Sequence, residues 1–210
     1  MPGARALAAR SLTIAALLAA AATGCARDDG WRGIVPAPPT PIPALALPEL
    51  HERGPATEFT LRPPAGRLLI VYFGYATCPD VCPTTLAELR AALEAVGRPA
   101  ARVEVAFVTV DMARDTTQVL VPYLRSLLPG AHPLRPASQE QLATAERAFG
   151  ASSMVTRDLA GKVTVSHTAL CYAVDGRGMV RVEWSFGTPR EDLAHDLRRL
   201  LAETAKEEGR

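Results

Sequence analysis

Two cysteines, Cys78 and Cys82, lie four positions apart in the stretch YATCPDVCPTTLAEL, and a proline follows each of them. The residue before a proline is restricted to extended backbone, so the pair is predicted to lie in a loop ahead of a helix. Pro83 suits the first position of that helix, which makes Cys82 the predicted cap. Unpaired amide groups at a helix start favour a thiolate, so this position suits both redox and metal chemistry.

Three kinds of chemistry are open to this pair: a structural disulfide, a redox dithiol and a metal clamp. The spacing permits a disulfide, which needs Cα atoms about 4.4–6.8 Å apart, and it also permits a wider bite around one ion. A structural disulfide here would close a very short loop and would contribute little loop-closure entropy. The redox and metal interpretations are therefore favoured.

A metal ion would need a third ligand, and the histidines differ in their positions. Three of them lie beside a proline-rich stretch, in a loop before a proline and on the polar face of the last predicted helix, and are expected to be solvated: His51, His132 and His195. His167 stands between two strand-like runs, KVTVS and TALCYAV. It is the favoured ligand, with an ordinary strand-end histidine as the alternative.

Cys171 is predicted to be a buried core thiol and not a ligand. If residues 167–171 are extended, four steps of about 3.3 Å place it ~13 Å from His167, too far to share one ion unless the strand breaks. Cys78, Cys82 and His167 remain as a three-ligand set. Structural zinc prefers four protein ligands, whereas two thiolates and one imidazole suit Cu(I), so copper is the leading metal.

Hydrophobic periodicity predicts the order strand, helix, strand, helices, strand, strand, helix. The predicted strands are RLLIVYFGY, RVEVAFVTVD, KVTVSH with TALCYAVD, and MVRVEWSF. Helices are expected from Pro83 to Gly97, from about Thr116 to Leu128, from Ser138 to Gly150 and from Thr188 onward. A dithiol between the first strong strand and its helix indicates an α/β, thioredoxin-like fold with a central mixed sheet flanked by helices. Reactive groups in such sheets gather at the carboxyl ends of strands, and this order brings His167 near the dithiol.

The first 25 residues are predicted to be an export signal, because Arg5 and Arg10 precede a short apolar run that ends in small residues. The run is shorter than the ~20 residues of a spanning helix. Its end, ATGC, resembles a bacterial lipobox and predicts lipidation of Cys25, with plain secretion as the alternative. Residues 26–55, which include the proline-dense IVPAPPTPIPALALP, are expected to form an extended tether, and residues 56–205 to form the folded domain.

Composition excludes one class of partner. The chain of 210 residues is 48% hydrophobic, which suffices for a core, and its formal net charge is +1. The Lys and Arg residues form no basic run and no stripe interleaved with aromatic residues. Nucleic acid is therefore not an expected partner.

The stretch YFGYATCPDVCPTTLAEL, residues 72–89, resembles the SCO/SenC family. These are exported thioredoxin-fold copper proteins that assist assembly of the dinuclear copper site of cytochrome c oxidase. The resemblance extends over roughly residues 68–201. It implies copper ligation by Cys78, Cys82 and His167.

A second stretch, VTVDMARDT, resembles VTVDPERDT of the same family, with Met112 in place of a family proline. Asp111 in this stretch is a candidate to support the metal site without binding the ion. A turn-capping aspartate is the alternative interpretation.

The resemblance implies a membrane-tethered copper metallochaperone at the extracytoplasmic face of a bacterial membrane. It would bind Cu(I), with Cu(II) as a second form, and pass the ion to the copper-site subunit of the oxidase. Disulfide formation between Cys78 and Cys82 would remove two ligands, so a partner thiol reductase is implied.

The alternative function is a thiol-disulfide oxidoreductase that keeps the oxidase subunit's cysteines reduced, and a peroxidase is a third. The loop is one residue longer than CxxC, and the junction Ser166-His167-Thr168 lacks the proline that thioredoxins place beside their dithiol. Both observations favour the metallochaperone, which is not an enzyme.

Overall fold

Ten β-strands and four α-helices lie within residues 30–208, the part of the chain that the computed structural model describes. The strands are β1 (Thr40–Pro41), β2 (Ala46–Glu49), β3 (Thr57–Thr60), β4 (Leu68–Gly74), β5 (Val103–Thr109), β6 (His132–Leu134), β7 (Ser153–Arg157), β8 (Val163–His167), β9 (Leu170–Asp175) and β10 (Met179–Ser185). The helices are α1 (Val81–Val96), α2 (Thr117–Leu127), α3 (Gln139–Phe149) and α4 (Arg190–Glu208), and a 3₁₀ turn at Arg98–Arg102 follows α1. The predicted export signal, with its lipobox-like end at Cys25, lies outside the described residues.

Eight of these strands form one mixed sheet in the order β1-β10-β9-β4-β5-β6-β2-β3. The neighbours β4, β5 and β6 are parallel, and the other neighbouring pairs are antiparallel. β7 and β8 form a separate antiparallel pair. The α/β class, with a central mixed sheet flanked by helices, is confirmed.

β4 forms the centre of the core because all seven of its residues are buried. Successive side chains of a strand point to opposite faces, so a run that is apolar throughout suits a strand covered on both sides. Tyr72 contacts the ring of Phe107 on one face, with centroids 5.8 Å apart, and Phe73 contacts Phe149 of α3 on the other, at 5.7 Å. Each such side chain contributes about 1.5–3 kcal/mol on burial.

Helix α1 begins at Val81, with Asp80 as its N-cap. The prediction that Cys82 caps the helix is therefore wrong, because Cys82 is the second helical residue. Pro83 is accommodated at the third position, since the first amide groups of a helix have no intrahelical partner and a missing N–H costs nothing there.

Helix α3 has the predicted ends. The Ser138 hydroxyl accepts the backbone N–H of Gln141 at 3.1 Å, and Gly150 ends the helix in the left-handed conformation, with φ 65°. The Gln141 side chain accepts the N–H of Ala137 at 2.7 Å. Serine three positions before glutamine and a terminal glycine thus identify this helix correctly.

The proline-rich stretch IVPAPPTPIPALALP was predicted to be an extended tether, but part of it pairs into the main sheet. β1 pairs with β10, and β2 lies between β6 and β3. Pro41 lies in the edge strand β1, where a missing N–H is tolerated. Ile42 and Leu47 are buried in the core. The apolar residues between the prolines, and not the prolines, decide the structure of this segment.

The β8 and β9 runs were predicted as strands and are confirmed, with a break at residues 168–169. β7 was not predicted. It pairs with β8 from Ser153, opposite His167, to Arg157, opposite Val163.

No helix within residues 30–208 is long and apolar enough to span a lipid bilayer.

A buried carboxylate holds the first described residues against the sheet. Asp196 of α4, fully buried, accepts the backbone N–H of Gly33 at 2.8 Å, that of Arg32 at 3.0 Å and the indole N–H of Trp184 at 2.9 Å. Ile34 exchanges two backbone hydrogen bonds of 2.8 Å with Glu183 of β10. The segment is therefore an integral part of the domain.

Replacing Asp196 by alanine is expected to lower the free energy of unfolding by about 3 kcal/mol, because three N–H donors lose their acceptor. Urea unfolding followed by circular dichroism measures this change. Asp192→Ala is the matched control on the same helix, because the Asp192 side chain is 42% exposed and its ion pair with Arg32 is 3.9 Å long. It should cost less than about 0.5 kcal/mol. Equal losses of unfolding free energy in the two variants would contradict the anchoring role of Asp196.

Candidate metal centre

The loop that carries the cysteines leaves the sheet at the carboxyl end of β4. The Gly74 carbonyl accepts the N–H of Val110 at 2.8 Å, so the loop starts beside the residues that follow β5. A Cβ atom at position 74 would lie 3.0 Å from the Cys82 sulfur and 2.9 Å from the Phe107 ring. Glycine therefore allows the Cys82 sulfur to rest on the end of β4.

The two thiols meet at the first turn of α1. The Cys82 backbone N–H donates to the Cys78 sulfur at 3.4 Å, so Cys78 satisfies one of the unpaired amides of the helix start. A hydrogen bond of 3.2 Å from the Cys78 N–H to the Tyr75 carbonyl curves the loop. Both cysteines are free thiols, and Cys78 is 8% exposed whereas Cys82 is fully buried.

The two thiols differ in acidity. Burial acts to raise the pKa of Cys78, but hydrogen bonds from the backbone amides of Cys82 and Asp80 stabilise its thiolate and lower the net pKa below its usual value. Burial raises the pKa of Cys82 to about 12. Cys78 is therefore the thiol that ionises first.

His167 completes the cluster from the end of β8. Its Nε2 lies 3.6 Å from the Cys82 sulfur, and its Nδ1 lies 3.1 Å from the Thr168 carbonyl oxygen. Because a carbonyl only accepts, Nδ1 carries the proton and Nε2 presents its lone pair to the cysteines. Burial lowers the pKa of His167, which favours the neutral ring that metal ions bind.

The three side chains have the separation and chemistry of a metal site. One ligand atom from each of Cys78, Cys82 and His167 lies within 4.8 Å of the other two. Metal–thiolate bonds of about 2.3 Å in a trigonal plane need ligand atoms ~4 Å apart, which small side-chain movements achieve. No other cluster of three potential ligands is found in residues 30–208. Two soft sulfurs and one imidazole fit Cu(I) better than a metal that prefers oxygen.

Aromatic rings hold the histidine in place. The Tyr75 ring meets the His167 ring edge-on with centroids 5.8 Å apart, and the Tyr72 ring does so at 6.1 Å. Burial, followed by the neighbouring Cys78, raises the pKa of Tyr75 to about 12, so its hydroxyl stays protonated beside the site. Sequence reasoning assigned no role to Tyr75, although the residue lies three positions before Cys78.

Asp111 does not contact a ligand side chain, and its predicted supporting role stays a prediction. Its buried carboxylate pairs with Arg114, whose guanidinium lies over the Tyr75 ring, 6.0 Å from the centroid. The Asp111 carboxylate therefore reaches the site through Arg114 and Tyr75.

Asp115, four residues further on, touches the cysteine loop directly and was not singled out in the sequence. Its carboxylate accepts the backbone N–H of Ala76 at 3.0 Å. The only signal for it was its position in VTVDMARDT, the stretch that follows β5.

The remaining histidines lie outside the cluster, but two are not the solvated residues that were predicted. His132 lies in β6, where its Nδ1 is 2.8 Å from a Glu49 carboxylate oxygen. His195 is half-buried, and its Nε2 is shielded from solvent. His51 hydrogen-bonds the Thr57 hydroxyl at 2.7 Å.

Cys171 is a buried core thiol, as predicted. It lies in β9 opposite Tyr72, is 3% exposed and does not belong to the ligand cluster. Burial raises the pKa of Cys171 to about 12. The strand does break between His167 and Cys171, but the break separates two sheets instead of bringing the two side chains to one ion.

In the reduced, metal-free protein, iodoacetamide is expected to alkylate Cys78 at least about ten times faster than Cys82 near pH 8, because only Cys78 combines a lowered pKa with some exposure. Peptide mass spectrometry measures the rates. Cys171 serves as a slow internal control, and unfolding in urea should make the three rates similar. Equal alkylation rates for Cys78 and Cys82 in the folded protein would contradict the assignment of Cys78 as the thiol that ionises first.

Comparison with known proteins gives one consistent family. The SCO1/SenC family model matches residues 55–202. A putative copper-binding protein of Stutzerimonas stutzeri is 33% identical over 141 residues, which is 67% of each chain. Seven further relatives match over shorter regions, which make up 31% to 50% of their own lengths. The apo Sco1 structure from Thermus thermophilus is 28% identical with a TM-score of 0.68, covering 83% of this chain and 99% of that one. The copper-bound ScoI structure from Bradyrhizobium japonicum is 30% identical with a TM-score of 0.62, covering 74% and 98%. A domain match of this extent, on a fold that brings two cysteines and a histidine together, shows that the chain belongs to the SCO1/SenC family.

Proposed function

We propose that this chain is a copper metallochaperone that binds one ion through Cys78, Cys82 and His167 and helps assemble the copper site of cytochrome c oxidase. The observation that carries the proposal is the approach of two sulfurs and an imidazole nitrogen to within 4.8 Å of one another. Copper-binding relatives and a copper-bound family structure support the choice of metal.

Capture of the ion begins at Cys78, because its lowered pKa makes it the more available thiolate. Cys82 releases its proton as it binds, since a metal ion competes with the proton for the sulfur. The neutral His167 ring then contributes Nε2 without any change of protonation. Two thiolates and one neutral ring leave a bound Cu(I) with a net charge of −1 at the site.

Transfer requires ligand exchange, and the position of the site favours it. The cluster lies at the carboxyl edge of β4, where Cys78 and His167 are partly accessible while Cys82 is fully buried. Three ligands leave a coordination position through which an acceptor ligand enters. Exchange therefore starts from the accessible side, and Cys82 is the last ligand to leave.

Redox state controls the site. When an oxidant removes two electrons from the Cys78 and Cys82 sulfurs and a disulfide forms, two of the three ligands are lost and the ion is released. Outside the cytosol, a thiol reductase must return the two electrons before the next cycle.

A second candidate is a thiol-disulfide oxidoreductase acting on the oxidase subunit's cysteines. The observation that favours it is the unequal acidity of the thiols, which suits an attacking Cys78 and a resolving Cys82. The contact of 3.6 Å between His167 Nε2 and the Cys82 sulfur favours copper instead, because disulfide exchange does not need a nitrogen ligand beside the sulfurs.

His167→Ala is expected to weaken Cu(I) binding by at least about a hundredfold, because one of three bonds is lost. Disulfide formation between Cys78 and Cys82 should continue. Competition with a chromogenic Cu(I) chelator measures affinity, and equilibration with a thiol buffer measures the redox pair.

The matched control is His132→Ala, because His132 contacts Glu49 and lies outside the cluster. It should bind copper like the unchanged protein, whereas Cys78→Ser should lose tight binding. Unchanged affinity in His167→Ala, with normal redox behaviour, would exclude the three-ligand site and leave the oxidoreductase function.

For location, we propose that the chain is exported and held at the extracytoplasmic face of a bacterial membrane by lipid on Cys25. Support comes from the sequence, in which a short apolar run ends at ATGC. The oxidase subunit that receives copper and the reductase would act on the same side of the membrane.

Cys25→Ser is expected to abolish lipid labelling and to leave the protein in the released exported fraction or as an uncleaved precursor. Fractionation and metabolic labelling with a tagged fatty acid in a bacterial host measure both outcomes. Cys171→Ser is the control for loss of a cysteine as such. Normal labelling of Cys25→Ser would contradict lipidation at this residue.

A further inference from the structure

A single carboxylate oxygen outside the ligand set joins the cysteine loop to the neighbouring strand. Oδ2 of Asp115 accepts the backbone N–H of Ala76 at 3.0 Å and the hydroxyl hydrogen of Thr109 at 2.5 Å. Ala76 lies two residues before Cys78, and Thr109 is the last residue of β5. Oδ2 therefore connects the loop to the rigid sheet.

Asp115 is itself fixed by a hydrogen-bonded turn. Its N–H donates to the Asp111 carbonyl at 2.9 Å, and the Asp111 N–H donates to the Thr109 hydroxyl oxygen at 3.0 Å. Arg114 pairs with the carboxylate of Asp111 and not with that of Asp115. The turn holds the Asp115 side chain at one position beside the loop.

Burial of Asp115 is unfavourable in itself, which indicates what the side chain is kept for. The residue is fully buried, its Oδ1 finds no hydrogen-bond partner among the described residues, and burial raises its pKa. A side chain that only filled space would be apolar. The two hydrogen bonds to Oδ2 are the contribution that an apolar residue could not make.

We propose that Asp115 is a positioning residue of the copper site, which places Cys78 by anchoring the loop at Ala76. This inference rests on the proposed copper function. Without the anchor, the two-residue connection from Ala76 to Cys78 is free to move, and the Cys78 sulfur no longer stays beside the Cys82 N–H. Ligands that must be ordered during binding hold an ion more weakly than ligands already in place.

Asp115→Ala in the full chain is expected to weaken Cu(I) affinity about 10- to 100-fold, the range found for residues that orient metal ligands. Asp115→Asn keeps an oxygen that accepts the Ala76 N–H and should recover most of the loss. Chelator competition measures affinity, and circular dichroism establishes that each variant is folded. Should Asp115→Ala fail to fold, Thr109→Val tests the same anchor, with a several-fold weakening expected.

The matched control is Asp175→Ala. Asp175 is also a buried aspartate, 1% exposed, that accepts two backbone N–H groups in a turn, at 2.9 Å and 3.1 Å. It pairs with Leu68 at the start of β4, the end of the strand away from the cysteines. Its loss should lower stability but leave copper affinity within about twofold, which separates positioning from general destabilisation.

A readout that needs no copper separates failure of this inference from failure of the proposed function. In the metal-free protein, Asp115→Ala should speed amide hydrogen exchange of residues 75–82 about tenfold, and Asp175→Ala should not. If the unchanged protein binds no copper, the proposed function fails. Amide hydrogen exchange of residues 75–82 then still tests whether Asp115 anchors the loop at Ala76. A folded Asp115→Ala with unchanged exchange, or with affinity matching the Asp175→Ala control, would overturn the inference.

Discussion

The parallel pairing of β4 and β5 is the constraint on which the site depends. Gly74 lies opposite Thr109 in the register, so the two strands leave the sheet at the same edge and in the same direction. Parallel strands need a long crossover, and here that crossover contains α1, whose first turn carries the second thiol. The cysteine loop and the turn that contains Asp115 must therefore emerge side by side. A hydrogen bond across that narrow gap is the shortest way to fix one against the other.

Much of this arrangement was predictable, and the exceptions share a physical cause. Elements with a strong local signal follow from the sequence, because β4 is a continuous apolar run and the apolar residues of α3 recur at helical spacing. The grouping of Cys78, Cys82 and His167 was predictable because few side chains bind soft metals. The roles of Asp115 and Tyr75 were not, since hydrogen bonds between segments leave no local pattern. β2 was missed because the prolines of the surrounding stretch outweighed the buried Leu47 in the interpretation.

The electrostatic design of the site follows from where each sulfur lies. Cys78 sits at the mouth of the loop among backbone amides that stabilise negative charge, whereas Cys82 lies on the end of β4 in apolar surroundings. Before an ion arrives, the buried part of the site is neutral and avoids the cost of an unpaired charge in the core. The negative charge on Cys82 develops only as the copper ion binds and balances it.

His167 lies at the end of the separate β7–β8 pair, whereas the cysteines follow β4 of the eight-stranded sheet. Within the described residues β8 pairs with β7 alone, four of the five residues of β7 are exposed, and Leu159 between the two strands is fully exposed. The inner side of the pair is half-buried, because Val165 packs against the core and two tyrosine rings meet His167, but a two-stranded pair still opens locally at a lower free energy than a core strand such as β4. Local opening of β7 and β8 would therefore remove the histidine from the three-ligand site without unfolding of the domain. Such opening would cost one ligand and leave the two sulfurs in place.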